Sequence, residues 1–354
     1  MKLSVNIKNK ISYNIIIENN LQLFISDYLN IMNKGQKWIL CYPKNLVIDS
    51  EALYNHLRLL KYDISRIEID DGESIKDIDK IKPIISQLHS IGCRRDSILI
   101  ALGGGTIGDY IGFIASIYMR GIRYINIPTT LLSMVDSCVG GKTGLNLNSF
   151  KNVIGTFHHP TYVFIDPLFL KSLPKKHMLS GIGEIVKYGF IQDPSIIKTL
   201  IDNLTDIIDC IDIETIHKII YKCLSIKCDI VQKDEKDTSM RHILNFGHTF
   251  GHIIESKYHK NGISHGEAVL HGIHLAIKLS FYKRVISHNV FDELKNILNS
   301  LHIENNYRLN RSDIDKIQFD KKNTFDELKF ILLEDIGKPI ISDKISKDDI
   351  LQII

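Results

Sequence analysis

The 354-residue sequence lacks a large excess of charge of either sign. It contains 44 Lys and Arg residues against 41 Asp and Glu residues, which gives a formal net charge of +3. A charge this small produces no strong field directed at DNA, RNA or an anionic membrane, so composition does not favour these partners. The balance says nothing about local groups of cations.

Paired cysteines are also missing. The six cysteines, at positions 41, 93, 138, 210, 223 and 228, form no CxxC pair, and no histidine lies at zinc-finger distance from the two closest of them. A disulfide framework is therefore not expected. We expect reduced, mostly buried thiols in a cytoplasmic enzyme.

Long apolar segments and repeats are the third absence. No window approaches about 18 uninterrupted apolar residues, so no membrane span is expected. Leu3, Val5 and Ile7 alternate with polar residues, which predicts a strand and not a signal peptide. With 44% hydrophobic and 24% charged residues, the composition is typical of a globular protein of about two domains.

The residue pattern changes near residue 167. Before it, short β-branched or aromatic segments alternate with helical patterns such as Ile75–Ile91, and this alternation is typical of a parallel sheet covered by helices. The predicted strands are Lys37–Tyr42, Arg66–Ile69, Ser97–Leu102, Tyr124–Ile127 and Tyr162–Ile165.

After this point the patterns are long and helical, and a late hairpin is predicted around Leu328–Leu333 and Pro339. We therefore predict an N-terminal α/β domain (residues 1–167) and a mostly α-helical C-terminal domain (residues 168–354), with an active site in the cleft between them. The predicted helices are Met178–Phe190, Ile213–Val231, Ile243–Tyr258, Gly266–Tyr282 and Phe291–Leu301.

A glycine-rich turn follows the predicted strand Ser97–Leu102. Gly103, Gly105 and Gly108 match the pattern G-x-G-x-x-G and precede the helical pattern Tyr110–Tyr118, which is the context of a pyrophosphate-binding loop. An ordinary dinucleotide loop follows the first strand and has an acid about 20 residues later, and both features are missing here. An upstream acidic turn at 70–76 is an alternative source of that acid. A tight structural turn remains the alternative interpretation of the loop.

Histidines concentrate in the second half of the chain. His248 and His252 are four residues apart and share one face of a predicted helix. Ser264 and Glu267 form a capping-box pattern, which predicts that His265 opens another helix. A helix N-terminus disfavours the imidazolium ion and so helps to keep His265 a neutral ligand.

A carboxylate on an apolar helix completes a possible metal site. Glu184 lies among apolar neighbours and needs a partner if it is buried, and a cation is the simplest one. Two histidines, one glutamate and an open position suit a catalytic zinc ion. The spacing does not decide between His248 and His252, and helix-packing histidines are the alternative interpretation. A protease of the H-E-x-x-H class is excluded because Thr249 follows His248.

Several cations lie among small or apolar neighbours, where a long basic side chain either extends to solvent or meets an anion. Asp136 is a further acid in apolar company. The cations are Arg120, Lys142, Lys151, Lys187, Lys227 and Arg241.

Taken together, these segments resemble the 3-dehydroquinate synthase family. The matching motifs are GGGTIGDYIGF, IPTTLL, VDSCVGGKTGLN, FKNVIGTF, GEIVKYG, RHILNFGHTFGH and HGEAV. The resemblance implies a Rossmann-like N-terminal domain, a homodimer, and an enzyme that uses NAD and one Zn²⁺ or Co²⁺ ion per subunit. Its reaction would convert 3-deoxy-D-arabino-heptulosonate 7-phosphate to 3-dehydroquinate and phosphate, in the shikimate pathway.

The resemblance also implies a role for individual residues. The metal ligands would be Glu184, His248 and His265. The NAD contacts would be Asp71, Gly72, Glu73, Lys76, Gly104, Gly105, Asp109, Thr129, Thr130, Lys142, Lys151, Ser172 and Leu173. The substrate-side and catalytic residues would be Arg120, Asp136, Lys142, Asn152, Lys187, Lys227, Arg241, Asn245, His252 and Lys322.

Three other functions fit part of the pattern. A sugar-phosphate cyclase of the 2-deoxy-scyllo-inosose or valiolone type would share the loop and the metal residues, but Lys227, Arg241 and Asn245 together favour a substrate that carries a carboxylate. A metal-dependent alcohol or glycerol dehydrogenase would not need the cations and would release NADH. A non-catalytic structural partner would bind neither metal nor NAD.

Overall fold

The computed structural model describes residues 1–7, 11–30, 32, 34–148, 150–301, 307–315 and 329–354. Within it the chain forms two compact units, Met1–Ser172 and Leu173–Ile354. Lys322, a predicted substrate contact, and Leu328, at the start of the predicted hairpin, lie outside the described residues.

The first unit is a mostly parallel α/β unit, as predicted. A seven-stranded sheet has the order β1-β2-β9-β6-β5-β3-β4, in which only β1 and β2 pair antiparallel, and β7 and β8 form a separate antiparallel hairpin. The strands are β1 (Lys2–Ile7), β2 (Ile11–Ile17), β3 (Lys37–Pro43), β4 (Asp63–Ile69), β5 (Ile98–Gly103), β6 (Arg123–Pro128), β7 (Lys142–Leu147), β8 (Phe150–Phe157) and β9 (Tyr162–Ile165). The helices are α1 (Leu21–Leu29), α2 (Val47–Leu59), α3 (Ile81–Ser90) and α4 (Gly105–Ile117).

Apolar side chains cover both faces of this sheet. Successive side chains of a strand point to opposite faces, and in β3 the residues Trp38 and Leu40 join one buried cluster while Ile39 and Cys41 join another. A strand buried on both faces has a continuous apolar sequence, which is why β3 and β5 could be predicted.

The second unit is mainly helical, which confirms the predicted fold class. Its only described sheet is the hairpin formed by β10 and β11, within the part of the chain covered by the structure. The helices are α5 (Lys175–Ile191), α6 (Pro194–Asp202), α7 (Leu204–Ile208), α8 (Ile213–Lys233), α9 (His248–Tyr258), α10 (His265–Tyr282), α11 (His288–Ser300), α12 (Arg311–Asp315) and α13 (Lys347–Leu351). The hairpin strands are β10 (Phe330–Asp335) and β11 (Lys338–Ser342).

Two predicted helices begin later than their apolar pattern suggested. The segment predicted as Ile75–Ile91 starts with short turns, and α3 begins only at Ile81, because Pro83 fits the first turn of a helix but not its interior. The segment predicted as Ile243–Tyr258 is interrupted at Gly247, whose φ of 79° lies outside helical geometry, and α9 begins at His248.

A helix that crosses a bilayer needs about 20 predominantly apolar residues. Among the described residues, no helix combines this length with this apolarity.

Candidate active site

Close helix contacts bring the predicted metal ligands together. Glu184 lies on α5 and His265 is the first residue of α10, as its capping box predicted. A Cβ added to Gly266 would lie 1.8 Å from the Ser180 carbonyl oxygen, and one added to Gly183 would lie 2.3 Å from the Gly266 carbonyl oxygen. Only glycine therefore allows the two backbones to approach this closely, beside both ligands.

A second contact of the same kind places α9 against α10. A Cβ on Gly272 would lie 1.9 Å from the Gly247 carbonyl oxygen, so the start of α9 rests directly on the backbone of α10. Gly247 precedes His248, which opens α9. The three predicted ligands thus come from three helices whose backbones touch at glycine residues.

The three side chains converge on one point. Glu184 is 1% exposed, and its Oε1 atom lies 3.3 Å from Nε2 of His248 and 3.3 Å from Nε2 of His265. One ligand atom from each residue can be chosen so that all three lie within 4.8 Å of one another. This group contains His248 and not His252, a choice that the spacing in the sequence left open.

These distances fit a divalent ion. In a tetrahedral site with metal–ligand bonds of about 2.0–2.1 Å, neighbouring ligand atoms are about 3.3 Å apart. Two imidazole nitrogens and one carboxylate oxygen form a donor set that suits Zn²⁺ or Co²⁺. The residues present therefore fit the ion that the sequence predicted.

Each of these three side chains has a second partner on its far side. Nδ1 of His248 lies 3.2 Å from the Phe246 carbonyl oxygen, and Nδ1 of His265 lies 3.2 Å from Oε2 of Glu255. The other oxygen of Glu184 pairs with the ammonium of Lys187. Such outer contacts orient metal ligands and leave the inner atoms available.

Glu255 is a residue that the sequence analysis missed. It lies on α9 seven residues after His248 and three after His252, so the three share one stripe of the helix. An acid continuing a stripe of two histidines was the signal that could have revealed it.

The electrostatics of the site favour a cation. Burial acts to raise the pKa of Glu184, but the Lys187 ammonium and His248 outweigh it and hold this pKa well below its usual value. Burial acts to lower the pKa of His265, but hydrogen bonds to Glu184 and Glu255 outweigh it and raise this pKa to about 10. The carboxylate is thus held charged at a place where positive charge is stabilised.

His252 lies next to the ligands on an exposed part of α9. Its ring centre is 5.5 Å from that of His248 and 6.2 Å from that of His265. The structure therefore places it beside the three-ligand cluster.

Buried cations also lie in the second unit. Lys187, Lys227 and Arg241 are each at most 5% exposed, and burying a charge is costly unless another group compensates it. Nη1 of Arg241 donates to the Glu235 carbonyl oxygen at 2.6 Å, and Asn245 follows in the same turn, which leads into α9.

A buried carboxylate organises the turn that carries Arg241. Asp234 accepts hydrogen bonds from the backbone N–H groups of Thr238, Ser239 and Arg241 at 2.8–3.0 Å. Burial acts to raise the pKa of Asp234, but these backbone donors outweigh it and hold the pKa well below its usual value. Sequence reasoning gave no role to Asp234.

The glycine loop of the first unit lies at the carboxyl ends of β5 and β6. The Thr129 N–H donates to the Gly103 carbonyl oxygen at 2.9 Å, and a Cβ on Gly104 would lie 3.1 Å from Cγ2 of Thr130. A Cβ on Gly105 would lie 2.7 Å from Oγ of Ser137. The predicted NAD contacts of the two neighbouring strands therefore lie together, at the N-terminus of α4.

The upstream acidic turn reaches the same region. Nζ of Lys76, which is 3% exposed, lies 2.8 Å from Oδ2 of Asp109 on α4 and 3.8 Å from Oε1 of Glu73. The same ammonium donates to Oδ1 of Asn152 in β8. The Lys76 ammonium thus contacts Glu73 and Asp109, which are predicted to contact NAD, and Asn152, which is predicted to contact the substrate.

The remaining residues predicted to contact NAD or the substrate take varied positions. Asp71 and Gly72 form an exposed turn, with the Gly72 N–H donating to Oδ1 of Asp71 at 2.7 Å. Asp136 is half-buried in the turn that follows β6, and Arg120 is exposed after α4 with a φ of 68°. The other four are Lys142 and Lys151, exposed on β7 and β8, and Ser172 and Leu173, on either side of the division between the units.

Two solved structures share this fold over almost the whole chain. A 2-deoxy-scyllo-inosose synthase complexed with carbaglucose-6-phosphate, NAD⁺ and Co²⁺ is 22% identical, with a TM-score of 0.88 and 100% of both chains covered. A 2-epi-5-epi-valiolone synthase from Streptomyces hygroscopicus subsp. jinggangensis 5008, with NAD⁺ and Zn²⁺ bound, is also 22% identical, with a TM-score of 0.87 and 97% and 96% of the chains covered. At this identity the likeness concerns the fold.

The sequence has much more similar relatives. The 3-dehydroquinate synthase of Clostridium tetani is 37% identical over 97% of this chain and 91% of the relative, and that of Dictyoglomus thermophilum is 43% identical over 88% of both. Two family models match as well, 3-dehydroquinate synthase N-terminal at residues 66–180 and 3-dehydroquinate synthase C-terminal at residues 181–323. With matches of this length, the chain belongs to the 3-dehydroquinate synthase family.

Proposed function

We propose that the chain is a 3-dehydroquinate synthase, which converts 3-deoxy-D-arabino-heptulosonate 7-phosphate to 3-dehydroquinate and phosphate. The observation that carries this proposal is the convergence of Glu184, His248 and His265 in a member of this family. The reaction belongs to the synthesis of chorismate in the shikimate pathway.

The proposed cofactors are NAD and one Zn²⁺ or Co²⁺ ion per subunit. Structures of similar fold contain NAD⁺ with Zn²⁺ or Co²⁺, which supports this choice. When bound, NAD supplies a transient oxidation at C5 of the substrate, and the metal ion supplies a Lewis acid that polarises the C5 oxygen. The metal ligands in this proposal are Glu184, His248 and His265.

The two halves of the chain have different tasks in this proposal. Residues 1–167 bind NAD through the glycine loop and the turn at 71–76, and residues 168–354 hold the metal ion and most of the substrate contacts. The helix N-terminus behind Gly104 and Gly105 supports the first assignment, because free N–H groups there can receive a pyrophosphate.

The cations of the chain would hold a substrate that carries both a phosphate and a carboxylate. Lys187, Lys227 and Arg241 are buried, and an anionic substrate would match their charge. The other cations assigned to the substrate or to NAD are Lys76, Arg120, Lys142, Lys151 and Lys322. A substrate held at both ends reacts as a preorganised intramolecular system, an effect that can be worth about 7–11 kcal/mol.

Four further side chains complete the proposed site. His252, beside the metal ligands, would face the reacting hydroxyl group. Asn152 and Asn245 would hydrogen-bond substrate hydroxyl groups, and Asp136 would contact the substrate from the turn after β6. Elimination of phosphate needs little further acid–base machinery, since the leaving phosphate can remove the proton itself.

One reaction mixture tests the function. The purified protein is incubated with the heptulosonate phosphate, zinc and NAD⁺ at far below the substrate concentration, while phosphate, dehydroquinate and NADH are measured together. We expect equal amounts of phosphate and dehydroquinate over many turnovers per NAD⁺, without accumulation of NADH. Stoichiometric NADH would instead indicate a dehydrogenase, and turnover only of glucose 6-phosphate or sedoheptulose 7-phosphate would indicate another sugar-phosphate cyclase.

We also propose that the protein is a homodimer in the cytoplasm. The dimer is what membership of the family implies. All six cysteines are buried and none is in a disulfide, which supports a reducing compartment. Sedimentation of the purified protein at several concentrations tests the dimer, since a species of the monomer mass throughout would contradict it.

A further inference from the structure

The two histidine ligands differ in what holds their outer nitrogen. Nδ1 of His248 faces a neutral acceptor, the Phe246 carbonyl oxygen, whereas Nδ1 of His265 lies 3.2 Å from the carboxylate of Glu255. The Glu255 side chain is 13% exposed, so water screens this contact only partly. The Glu255–His265 contact therefore stands out from its counterpart at His248.

In the neutral ring that can bind a cation, this contact favours one of the two tautomers. A neutral imidazole carries its proton on one nitrogen and a lone pair on the other. With the proton on Nδ1 donated to Glu255, the lone pair of His265 lies on Nε2, the atom that faces Oε1 of Glu184 at 3.3 Å. A charged acceptor behind the ring also makes the inner nitrogen a stronger electron donor to a cation.

The start of α10 does not depend on this contact. The Ser264 N–H donates to Oε2 of Glu267 at 2.8 Å, and the Ser264 hydroxyl accepts from the Glu267 N–H, so a complete capping box already holds the helix end. Glu255 comes from another helix, α9. Its carboxylate thus contacts the His265 ring from outside the capping box.

We propose that Glu255 is a positioning residue of the metal centre, which fixes the tautomer and direction of His265 and so strengthens metal binding without touching the ion. The proposal rests on the metal ligands assigned under the proposed function. Loss of such an outer partner typically weakens metal binding by about 10–100-fold.

The test measures metal affinity in the chelator-treated full-length protein. Wild type, Glu255→Gln, Glu255→Ala, His265→Ala and Asp292→Asn are titrated with Co²⁺, using its visible absorption and competition with a chromophoric chelator. Asp292→Asn is the matched control, because it removes a carboxylate 2.7 Å from Nδ1 of His288, an exposed pair on α11. Thermal unfolding of each metal-free protein is recorded in parallel.

We expect Glu255→Ala to bind Co²⁺ about 10–100-fold more weakly than wild type. Glu255→Gln should be intermediate, because its amide oxygen still accepts from Nδ1 but carries no charge. The metal-free unfolding temperatures should stay close to that of wild type, and Asp292→Asn should bind normally. An affinity within about two-fold of wild type for both Glu255 variants would overturn the proposal.

The design separates this inference from the proposed function. If wild type and His265→Ala bind Co²⁺ equally, the ligand assignment fails and the inference fails with it. If His265→Ala loses binding while the Glu255 variants keep it, the inference alone fails. Should Glu255→Ala not fold, the nearly isosteric Glu255→Gln decides, since a full wild-type affinity in that variant contradicts the role of the charge.

Discussion

At the scale of single residues, Glu184 connects the groups of the proposed metal site. One oxygen of its carboxylate faces both histidines and the other pairs with Lys187. A carboxylate buried among three groups that can carry positive charge remains ionised. In this form it can bind a divalent ion. Glu184 therefore takes part both in the buried contacts of α5 and in the proposed metal site.

We expect Glu184→Gln to lose bound zinc and to lower the rate of phosphate release by more than about 100-fold, because losing a ligand costs more than losing an outer partner. Glutamine keeps the shape of the side chain but removes the charge that faces His248 and His265. Metal content by mass spectrometry and phosphate release at saturating zinc are the measurements. A variant that retains zinc and full turnover would show that Glu184 is not a ligand.

At the scale of structural elements, glycines at helix contacts place the functional residues. Gly247 has a φ of 79°, and a Cβ there would lie 2.5 Å from Cγ1 of Ile273 on α10. Gly92 has the same φ, yet nothing lies within 4 Å of its Cβ position. The two glycines thus have the same left-handed backbone conformation, but only Gly247 is closely packed against another residue.

We therefore expect Gly92→Ala to destabilise the protein by about 1–2 kcal/mol, the cost of a left-handed residue. Gly247→Ala should cost about 1–3 kcal/mol more, the typical cost of overpacking, and should displace His248. Urea unfolding compares the stabilities, and zinc affinity reports the displacement. Equal losses of stability in the two variants would contradict this expectation and would show that α9 and α10 can move apart to accommodate the added methyl group.

The turn organised by Asp234 has a pH-dependent stability. Its folded-state pKa is below the unfolded value, so its contribution is complete above about pH 4 and is lost as the pH falls further. Asp234→Asn removes this carboxylate, which should cost about 1–3 kcal/mol at pH 7. Urea unfolding at pH 7 and pH 3 should show the gap between wild type and variant closing at the lower pH. A gap that does not change with pH would contradict the assignment.

The sequence predicted the elements whose pattern is strong. Strands buried on both faces, such as β3 and β5, and the capped start of α10 were correctly predicted because their signals are local. The hairpin of β7 and β8 was missed because β8 is mostly exposed and lacks an apolar pattern. Glu255 continues the stripe of His248 and His252, but its contact with His265 on another helix depends on packing that a sequence pattern does not record.

At the scale of the whole molecule, the two proposed cofactors belong to different units of the chain. The glycine loop lies in Met1–Ser172, and all three proposed metal ligands lie in Leu173–Ile354. Changes in one unit should therefore affect the binding of one cofactor more than the other.

We expect Gly105→Ala to weaken NAD⁺ binding, because its Cβ would lie 2.7 Å from Oγ of Ser137 and the cost of such overpacking, about 1–3 kcal/mol, falls on the loop that would receive the pyrophosphate. The zinc content should stay at the wild-type value, while His265→Ala should show the reverse pattern. Calorimetric titration with NAD⁺ and metal analysis of the same samples make the comparison. Loss of zinc in Gly105→Ala would show that the units do not bind their cofactors separately.

The burial of every cysteine has a practical consequence for experiments on this molecule. Burial raises the pKa values of the Cys41 and Cys228 thiols to about 12, so few thiolates are available to react with a maleimide at neutral pH. New cysteines at Leu23 and Ile211, exposed positions in the two units, would then be labelled selectively without removing the native ones. A dye pair at these positions would allow single-molecule fluorescence to follow the distance between the units as ligands are added.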